Sequence, residues 1–447
     1  MMMDRTPRRG VARLLVIPLM SALAAGAARA QTPAEASPPD TLVLDTLLTE
    51  EEVVARALEA SPLVAQGESA VRATRSGRRV ARGAFLPTLS ATSVLSRSDV
   101  SANAPFSSIT DQDSYGGGLT ASLDLFTGGR RGADMARSDA EARAAEADLV
   151  ADRYAVVLGA KRAYFEVLRA GELVRVANAR IARAELGLRI ARGRQKAGTA
   201  TRSDGLRAQL ELTGGREQLN AARDTLQSAA YALGRLVGAE GPVGARAPAS
   251  LDPRPLSQTD SAIVRMAVHE APGVRAAEAA AEAGHAATRS ARAQYFPGLK
   301  LTGGYLWANR SPIPGALRPG WTLALGTSFP LFNGFVREDA QTRAAAAADV
   351  ADAVEADARR QARADANRLL GALRLAREGI DLARDAVTSA QEDLRVQTER
   401  YEAGLSTMLD ALTSQSALVQ AELGLVAARH RYQIVRASLE ALVGREL

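Results

Sequence analysis

The chain is written twice, and no other feature constrains its fold as tightly. Ser61-Pro62-Leu63-Val64, an Ala/Arg-rich stretch and Phe85-Leu86-Pro87-Thr88-Leu89 recur 210 residues later, as Ala271-Pro272-Gly273-Val274 through Tyr295-Phe296-Pro297-Gly298-Leu299. Leu125-Phe126-Thr127-Gly128 matches Leu331-Phe332-Asn333-Gly334 at an offset of 206, and Ala197-Gly198 with Asp204 matches Ala403-Gly404 with Asp410 at the same offset. Three motifs in one order at nearly constant spacing define two structural copies. The Gly/Pro-rich stretch from Val237 to Ser257 reads as the linker between them. The expected organisation is a first repeat over 51–250 and a second over 251–447.

Each copy changes period in the same way. Residues 51–85 and 259–296 read as helices that end at an aromatic–Leu/Phe–Pro joint, because proline lacks the amide a helix needs and pushes its predecessor to extended geometry. Beyond the joint the period becomes two. Leu119, Ala121, Leu123 and Leu125 alternate with Thr120, Ser122 and Asp124. Leu299, Leu301, Gly303, Tyr305 and Trp307 alternate with Lys300, Thr302, Gly304 and Leu306; Trp321, Leu323, Leu325 and Phe329 oppose Thr322, Ala324, Gly326 and Ser328. These patterns predict strand pairs over 88–125 and 298–331.

Segments of about 10 residues with one apolar face suit a membrane β-barrel. Twelve of the eighteen aromatics fall in 85–126 and 295–335, where Tyr305, Trp307, Trp321 and Phe329 are expected at the lipid headgroups. On strands alone, a soluble hairpin with one buried face is the better reading. The long helices and an N-terminal secretory signal favour the barrel. Four strands per chain cannot close one, since about eight is the practical minimum, and an open edge in lipid leaves backbone groups unsatisfied. A membrane barrel must therefore be shared in a ring-shaped homo-oligomer whose subunit number the strands do not fix.

The helices have the length of a wall. Neither Arg130 to Lys196 nor Val336 to Glu402 contains a proline, and each runs 67 residues, roughly 100 Å of helix. Val167, Val174, Ile181, Leu188 and Gln195 are spaced by seven, with Ala170, Ala177, Ala184 and Ala191 between them; Leu373, Ile380, Val387, Leu394 and Tyr401 repeat the pattern with Ala376, Ala383 and Ala390. Heptads imply a supercoil, and alanine in the seam permits close approach. Leu212, Leu219, Leu226 and Leu233 after Gly198, and Leu418, Leu425, Tyr432 and Leu439 after Gly404, supply the return helices. Two long antiparallel hairpins with tips at 197–204 and 403–410 result.

At the N-terminus, basic Arg5, Arg8, Arg9 and Arg13 precede apolar Leu14 to Ala25 and the small-x-small site Ala28-Arg29-Ala30. This is the pattern of a signal peptide over 1–30, cleaved after Ala30, followed by an extension over 31–50. Arg8-Arg9 is a poor match to twin-arginine export. Removing five arginines and one aspartate takes the formal charge from +6 to +2, so the basic pI is no argument for nucleic acid. The absence of cysteine excludes disulfides, thiolate metal sites and a lipidated cysteine. His269, His285 and His430 lack the spacing of a metal or catalytic site and read as helix-surface residues. No enzyme activity and no cofactor are expected. Gly128-Gly129-Arg130-Arg131-Gly132 lacks the Lys-Ser/Thr of a phosphate loop and reads as a strand-to-helix joint. Tyr115-Gly116-Gly117-Gly118 reads as the end of an outer loop.

The doubled helix, Leu-Pro joint, strand pair, Leu-Phe-[Thr/Asn]-Gly, long helix and Ala-Gly tip resemble the TolC-like outer-membrane efflux proteins over nearly all of residues 50–443. The resemblance implies a mainly α fold with membrane β: a homotrimer with a 12-stranded β-barrel in the outer membrane, four strands per chain, on a coiled-coil α-barrel crossing the periplasm. It implies an exit duct, with a periplasmic adaptor and an inner-membrane transporter as partners and outer-membrane lipid around the barrel. The adaptor would meet the hairpin tips at Ala197, Gly198, Thr199, Ala403, Gly404 and Leu405. Tyr401 and Asp204 match positions of a latch at the entrance, and Asp410 matches an acidic constriction. Ser406 stands where a latch arginine can occur and Thr413 where a second acid can, which implies a looser and less cation-attracting entrance. In a plainer reading, Asp204 and Asp410 occupy the first turn of a helix, where the dipole favours them. The alternative function is a non-conducting periplasmic coiled-coil adaptor or structural protein spanning the envelope.

Overall fold

The computed structural model describes residues 46–98, 112–248, 250–309 and 317–447. The signal peptide, its cleavage site and most of the extension lie outside these residues. The first copy comprises α1 (Glu50–Ala60), α2 (Pro62–Gly83), β2 (Thr88–Ser98), β3 (Gln112–Phe126), α3 (Arg130–Lys196) and α4 (Arg202–Leu236). The second repeats it as α5 (Asp260–Glu270), α6 (Pro272–Arg292), β5 (Gly298–Asn309), β6 (Leu317–Ser328), α7 (Val336–Glu402) and α8 (Met408–Val443). Two short strands, β1 (Leu47–Leu48) and β4 (Gly244–Ala245), pair in parallel beside α3. No helix among the described residues is long and apolar enough to cross a membrane.

The 67-residue helices α3 and α7 span Arg130–Lys196 and Val336–Glu402, the tracts read as long helices. The shorter helices depart from expectation. Residues 51–85 form two helices, because Ser61 is extended and Pro62 opens α2, with the Ser61 hydroxyl accepting from the Val64 amide at 3.4 Å. Ala271 and Pro272 break the second copy at the same place, and a 3-10 turn at Ala293–Tyr295 finishes it. Proline excludes its predecessor from helical geometry yet suits the first helical position. Tyr115-Gly116-Gly117-Gly118 also differs: it lies inside β3 and ends no loop. A Cβ on Gly118 would come within 2.4 Å of the Leu306 side chain, so glycine there leaves room for that side chain.

The four long strands form one antiparallel sheet in the order β2-β3-β5-β6, leaving β2 and β6 as open edges. Register sorts its faces. Leu89, Ala91 and Leu95 of β2 align with Ala121, Leu119 and Tyr115 of β3; Leu119 and Leu123 align with Tyr305 and Leu301, and these with Trp321 and Leu325. That face is apolar from edge to edge. The opposite face carries Thr88, Ser90, Thr120, Ser122, Asp124, Lys300 and Thr302.

α3 runs the length of the wall, packing on α2 and α6 towards the sheet and on α4 and α8 towards the tips. Its heptad seam is buried at Val167, Ala170, Ala177, Ala184, Leu188 and Ala191, whereas Gln195 at the end of the pattern is exposed. In the second copy Leu373, Ala376 and Ile380 are buried against Tyr432 and Leu439. Ile380 is 0% exposed, so Ile380→Ala is expected to cost about 3 kcal/mol, read as a lower unfolding midpoint of the detergent-purified protein.

Around the waist the linker is tied down by hydroxyls. Tyr164 donates to the Arg246 carbonyl at 2.6 Å and Tyr432 to the Arg254 carbonyl at 2.8 Å. Lys161 bridges Glu440 at 2.8 Å and Glu50 at 3.0 Å, joining α3, α8 and α1. Burial pulls the Lys161 pKa down, but hydrogen bonds and charge from Glu440 and Glu50 more than offset it, so the amine is held above its usual range.

Candidate functional site: the hairpin tips

Both tips reverse direction by one device. Gly198 and Gly404 adopt φ of 76° and 82°, and the amides of Thr199 and Leu405 close onto the carbonyls of Arg194 and Arg400 at 2.9 and 2.8 Å. Left-handed glycine after a helix satisfies its last carbonyls without a Cβ penalty. A capping box then starts the return helix. Asp204 Oδ2 accepts from the Thr201 amide and hydroxyl, both at 3.0 Å, while the Thr201 hydroxyl accepts from the Asp204 amide at 3.3 Å. Thr407 and Asp410 repeat the arrangement at 2.9, 2.8 and 3.3 Å.

Both aspartates therefore hold first-turn capping positions, and this local role suffices to explain their recurrence. Asp410 is also exposed. Hydrogen bonds from the backbone and side chain of Thr407, aided by the charge of Arg400, hold its carboxyl below the ordinary 3.8. Lowering such a pKa stabilises the fold at neutral pH. That contribution is complete above 3.8 and is lost as pH falls through the lowered value.

Tyr401 is brought to the first hairpin. It is 4% exposed and packs in one cluster with Ala184, Leu188, Ala191, Ala208, Leu212 and Met408. Its hydroxyl is buried without a hydrogen-bond partner. Burial, with the nearby charge of Asp204, pushes its pKa up against the opposing pull of Arg194. Tyr401 and Asp204 are thus neighbours electrostatically, while the Asp204 carboxylate is engaged by its own cap.

Arg194 makes the link that the sequence reading missed. Its guanidinium lies over the Tyr401 ring at 4.6 Å, donates to the Tyr401 carbonyl, and donates to the Thr199 carbonyl at 3.0 Å. One side chain from the first tip thereby holds the second. The repeat carried a signal for it, since Arg194 and Arg400 each stand four residues before a tip glycine. Further up the wall, Arg180 binds Glu211 at 2.8 Å, Gln415 donates to the same carboxylate at 3.2 Å, and Arg183 holds Glu422 through two bonds of 2.9 and 2.7 Å.

Other expected positions stand apart from this cluster. Thr413 is exposed and donates to the Leu409 carbonyl at 2.9 Å, and Ser406 folds back on the Gln397 carbonyl at 3.3 Å. Ala197, Gly198, Thr199, Ala403, Gly404 and Leu405 are all exposed, Leu405 by 72%. At the far end, Tyr305 and Trp307 stack edge-on at 5.5 Å, Trp321 is 76% exposed on the same face, and Phe329 follows β6. His285 is exposed and meets Asp352 at 2.9 Å; His430 is half-buried beside Glu166, and burial pulls its pKa down.

This geometry has relatives. Residues 53–239 and 263–445 match the family described as Outer membrane efflux protein. The chain is 27% identical over 411 residues to the pyoverdine export outer membrane protein OpmQ of Pseudomonas aeruginosa, covering 90% of this chain and 83% of the relative. It is 25% identical over 425 residues to the outer membrane efflux protein BepC of Brucella suis, with coverage of 90% and 89%. The fold is shared with VceC of Vibrio cholerae (TM-score 0.75, 21% identity, 89% of this chain and 96% of that one). It is shared also with the Campylobacter jejuni CmeC channel (TM-score 0.78, 17% identity, 88% and 85%).

Proposed function

Because this chain belongs to the outer membrane efflux protein family, we propose that it works as a homotrimer whose hairpin tips receive cargo from a periplasmic adaptor and an inner-membrane transporter. The protein is an outer-membrane exit duct, and the family is one of channels. One observation carries the barrel shared between chains: a four-stranded sheet, apolar across one face, has both edges open among the described residues. In lipid those edges must find partners, and three copies of four strands make a barrel wide enough to leave a lumen. The polar face, with Asp124 and Lys300, lines that lumen. Tyr305, Trp307 and Trp321 sit at the outer headgroups.

At the other end, exposed Ala197, Gly198, Thr199, Ala403, Gly404 and Leu405 meet the adaptor. Arg194 and Tyr401 keep the two hairpins of each chain together and the entrance narrow. Asp410 faces the aqueous entrance and supplies negative charge there; Thr413 adds none. The duct has no energy source of its own, so the transporter sets direction and cargo, whether small molecules as in the pyoverdine export relative or polypeptides. The family match leaves no support for a non-conducting adaptor.

Purified from outer-membrane fractions in detergent, the protein is expected to run as a trimer and to form pores in planar bilayers; a salt-soluble monomer would overturn the proposal. Within those pores Asp410→Ala should weaken block by multivalent cations. Because its pKa is lowered, block of the parent should persist as pH falls to about 3.8. Equal block in parent and variant would remove Asp410 from the constriction.

A further inference from the structure

The two strand-to-helix joints are built alike but finished differently. In the first, Gly128 and Gly129 both adopt left-handed backbone, at φ of 62° and 83°. In the second, Gly334 keeps φ at 66°, but the next position is Phe335, also at 66°. Among the described residues Phe335 alone holds positive φ without being glycine. A bulky side chain in this region is strained. The backbone is otherwise the same, since the carbonyls of Gly129 and Phe335 receive the first helical bonds from Ala133 and Asp339 at 3.0 and 2.9 Å. Such strain persists where the side chain does something that glycine cannot.

The side chain is not used for packing within the chain. Phe335 is 68% exposed and stacks edge-on with Phe332 at 5.5 Å, itself 74% exposed, beside Leu331 at 85%. The internal repeat indicates whether an adjacent copy would cover it. In the first joint the neighbouring repeat is already in place: a Cβ on Gly128 would lie 2.1 Å from that of Phe296. Yet a Cβ on Gly129 would meet nothing within 4 Å, and Phe126, the counterpart of Phe332, stays 50% exposed. By that equivalence a neighbour docked on the second joint leaves the Cβ at position 335 untouched. The apolar face of β6 meanwhile runs through Trp321, Leu323 and Leu325, with Thr327 its one polar member, and Phe329 and Leu331 follow the strand. Water would leave this group unfavourably exposed, and the boundary between hydrocarbon and headgroups would not.

We infer that Leu331, Phe332 and Phe335 form an anchor in the periplasmic leaflet of the outer membrane, for which the second joint accepts a strained backbone. The anchor occurs once per chain, because the first joint carries glycine at the equivalent position. This inference rests on the membrane placement of the sheet.

The chain has no cysteine, so single cysteines can carry a nitroxide without background. The full protein is reconstituted in phosphatidylethanolamine–phosphatidylglycerol vesicles with labels at Phe335→Cys, Phe332→Cys, Leu323→Cys and Leu405→Cys. Collisions with oxygen, which concentrates in lipid, are compared with those of a water-soluble nickel chelate. At 335 and 332 the oxygen-to-nickel ratio is expected to be several-fold above that at 405. A ratio at 335 equal to that at 405 places the side chain in water, and low access to both reagents places it in a protein interface; either overturns the anchor. If 323 also reports water, the membrane placement of the sheet fails with it.

Discussion

Gly128→Ala is expected to strip the folded protein from the outer membrane. Two costs coincide at this position. The left-handed backbone, at φ 62°, penalises any Cβ by about 1–2 kcal/mol. That Cβ would also lie 2.1 Å from Phe296 Cβ and 3.1 Å from the Ala293 carbonyl. Overlap with a neighbouring backbone and Cβ cannot be relieved by a rotamer change, and overpacking of this kind adds about 1–3 kcal/mol or more. Against a typical folding stability of about 5–15 kcal/mol, the sum removes a large share, and it falls where the two repeats meet. Gly129→Ala is the control: its φ is 83°, yet its Cβ would touch nothing within 4 Å. It should lose only the backbone penalty of about 1–2 kcal/mol and retain near-normal oligomer on extraction. Equal losses for both variants would mean that backbone strain, and not contact between the repeats, dominates the joint.

Tyr401→Ala is expected to open the entrance. The ring fills a site with 4% exposure among Ala184, Leu188, Ala191, Ala208, Leu212 and Met408, so truncation costs about 3–5 kcal/mol locally. It also removes the surface on which the Arg194 guanidinium lies. With hydrophobic contact and cation–π stacking both gone, the second tip keeps the Arg194 bond to the backbone carbonyl at 401 but swings more readily from the first. Single-channel conductance should rise, and cells carrying the variant should become sensitive to large antibiotics that the parent excludes. Tyr401→Phe should do the opposite of harm: its hydroxyl is buried and unpartnered, so removing it is neutral or stabilising by about 1 kcal/mol. A lower unfolding midpoint for Tyr401→Ala with unchanged conductance would dissociate this contact from closure.

Long-period features were legible in the sequence and single-residue geometry was not. The bounds of α3 and α7 follow from the turn signals that flank them, Gly128-Gly129 and Asn333-Gly334 before and Ala197-Gly198 and Ala403-Gly404 after. The sheet's faces follow from alternation, since each side chain must choose between lipid and lumen. The breaks at Pro62 and Pro272 were equally available: proline opens a helix as readily as it ends one. Arg194 could not be weighed, because an arginine four residues before a turn can as easily point to water. Its partner Tyr401 lies 207 residues away in sequence, and only the fold brings them together. Phe335 was invisible for the opposite reason: its meaning lies in a backbone angle. Asp204 and Asp410 were seen, but their capping bonds assign them a local role that sequence analogy to an entrance could not separate from a gating one.

In the proposed trimer the duct is closed between chains. The repeat fixes how: β3 pairs with β5 with Leu119 opposite Tyr305, so the equivalent pairing of β6 with β2 of an adjacent copy sets Leu325 opposite Leu95. Facing residues of antiparallel strands have Cα atoms about 4.5–5.5 Å apart, within the range of a disulfide. A chain carrying Leu325→Cys and Leu95→Cys, in a protein with no other cysteine, should yield on oxidation a covalent ladder that stops at three chains. Monomer alone, or a ladder that passes three, would contradict the account.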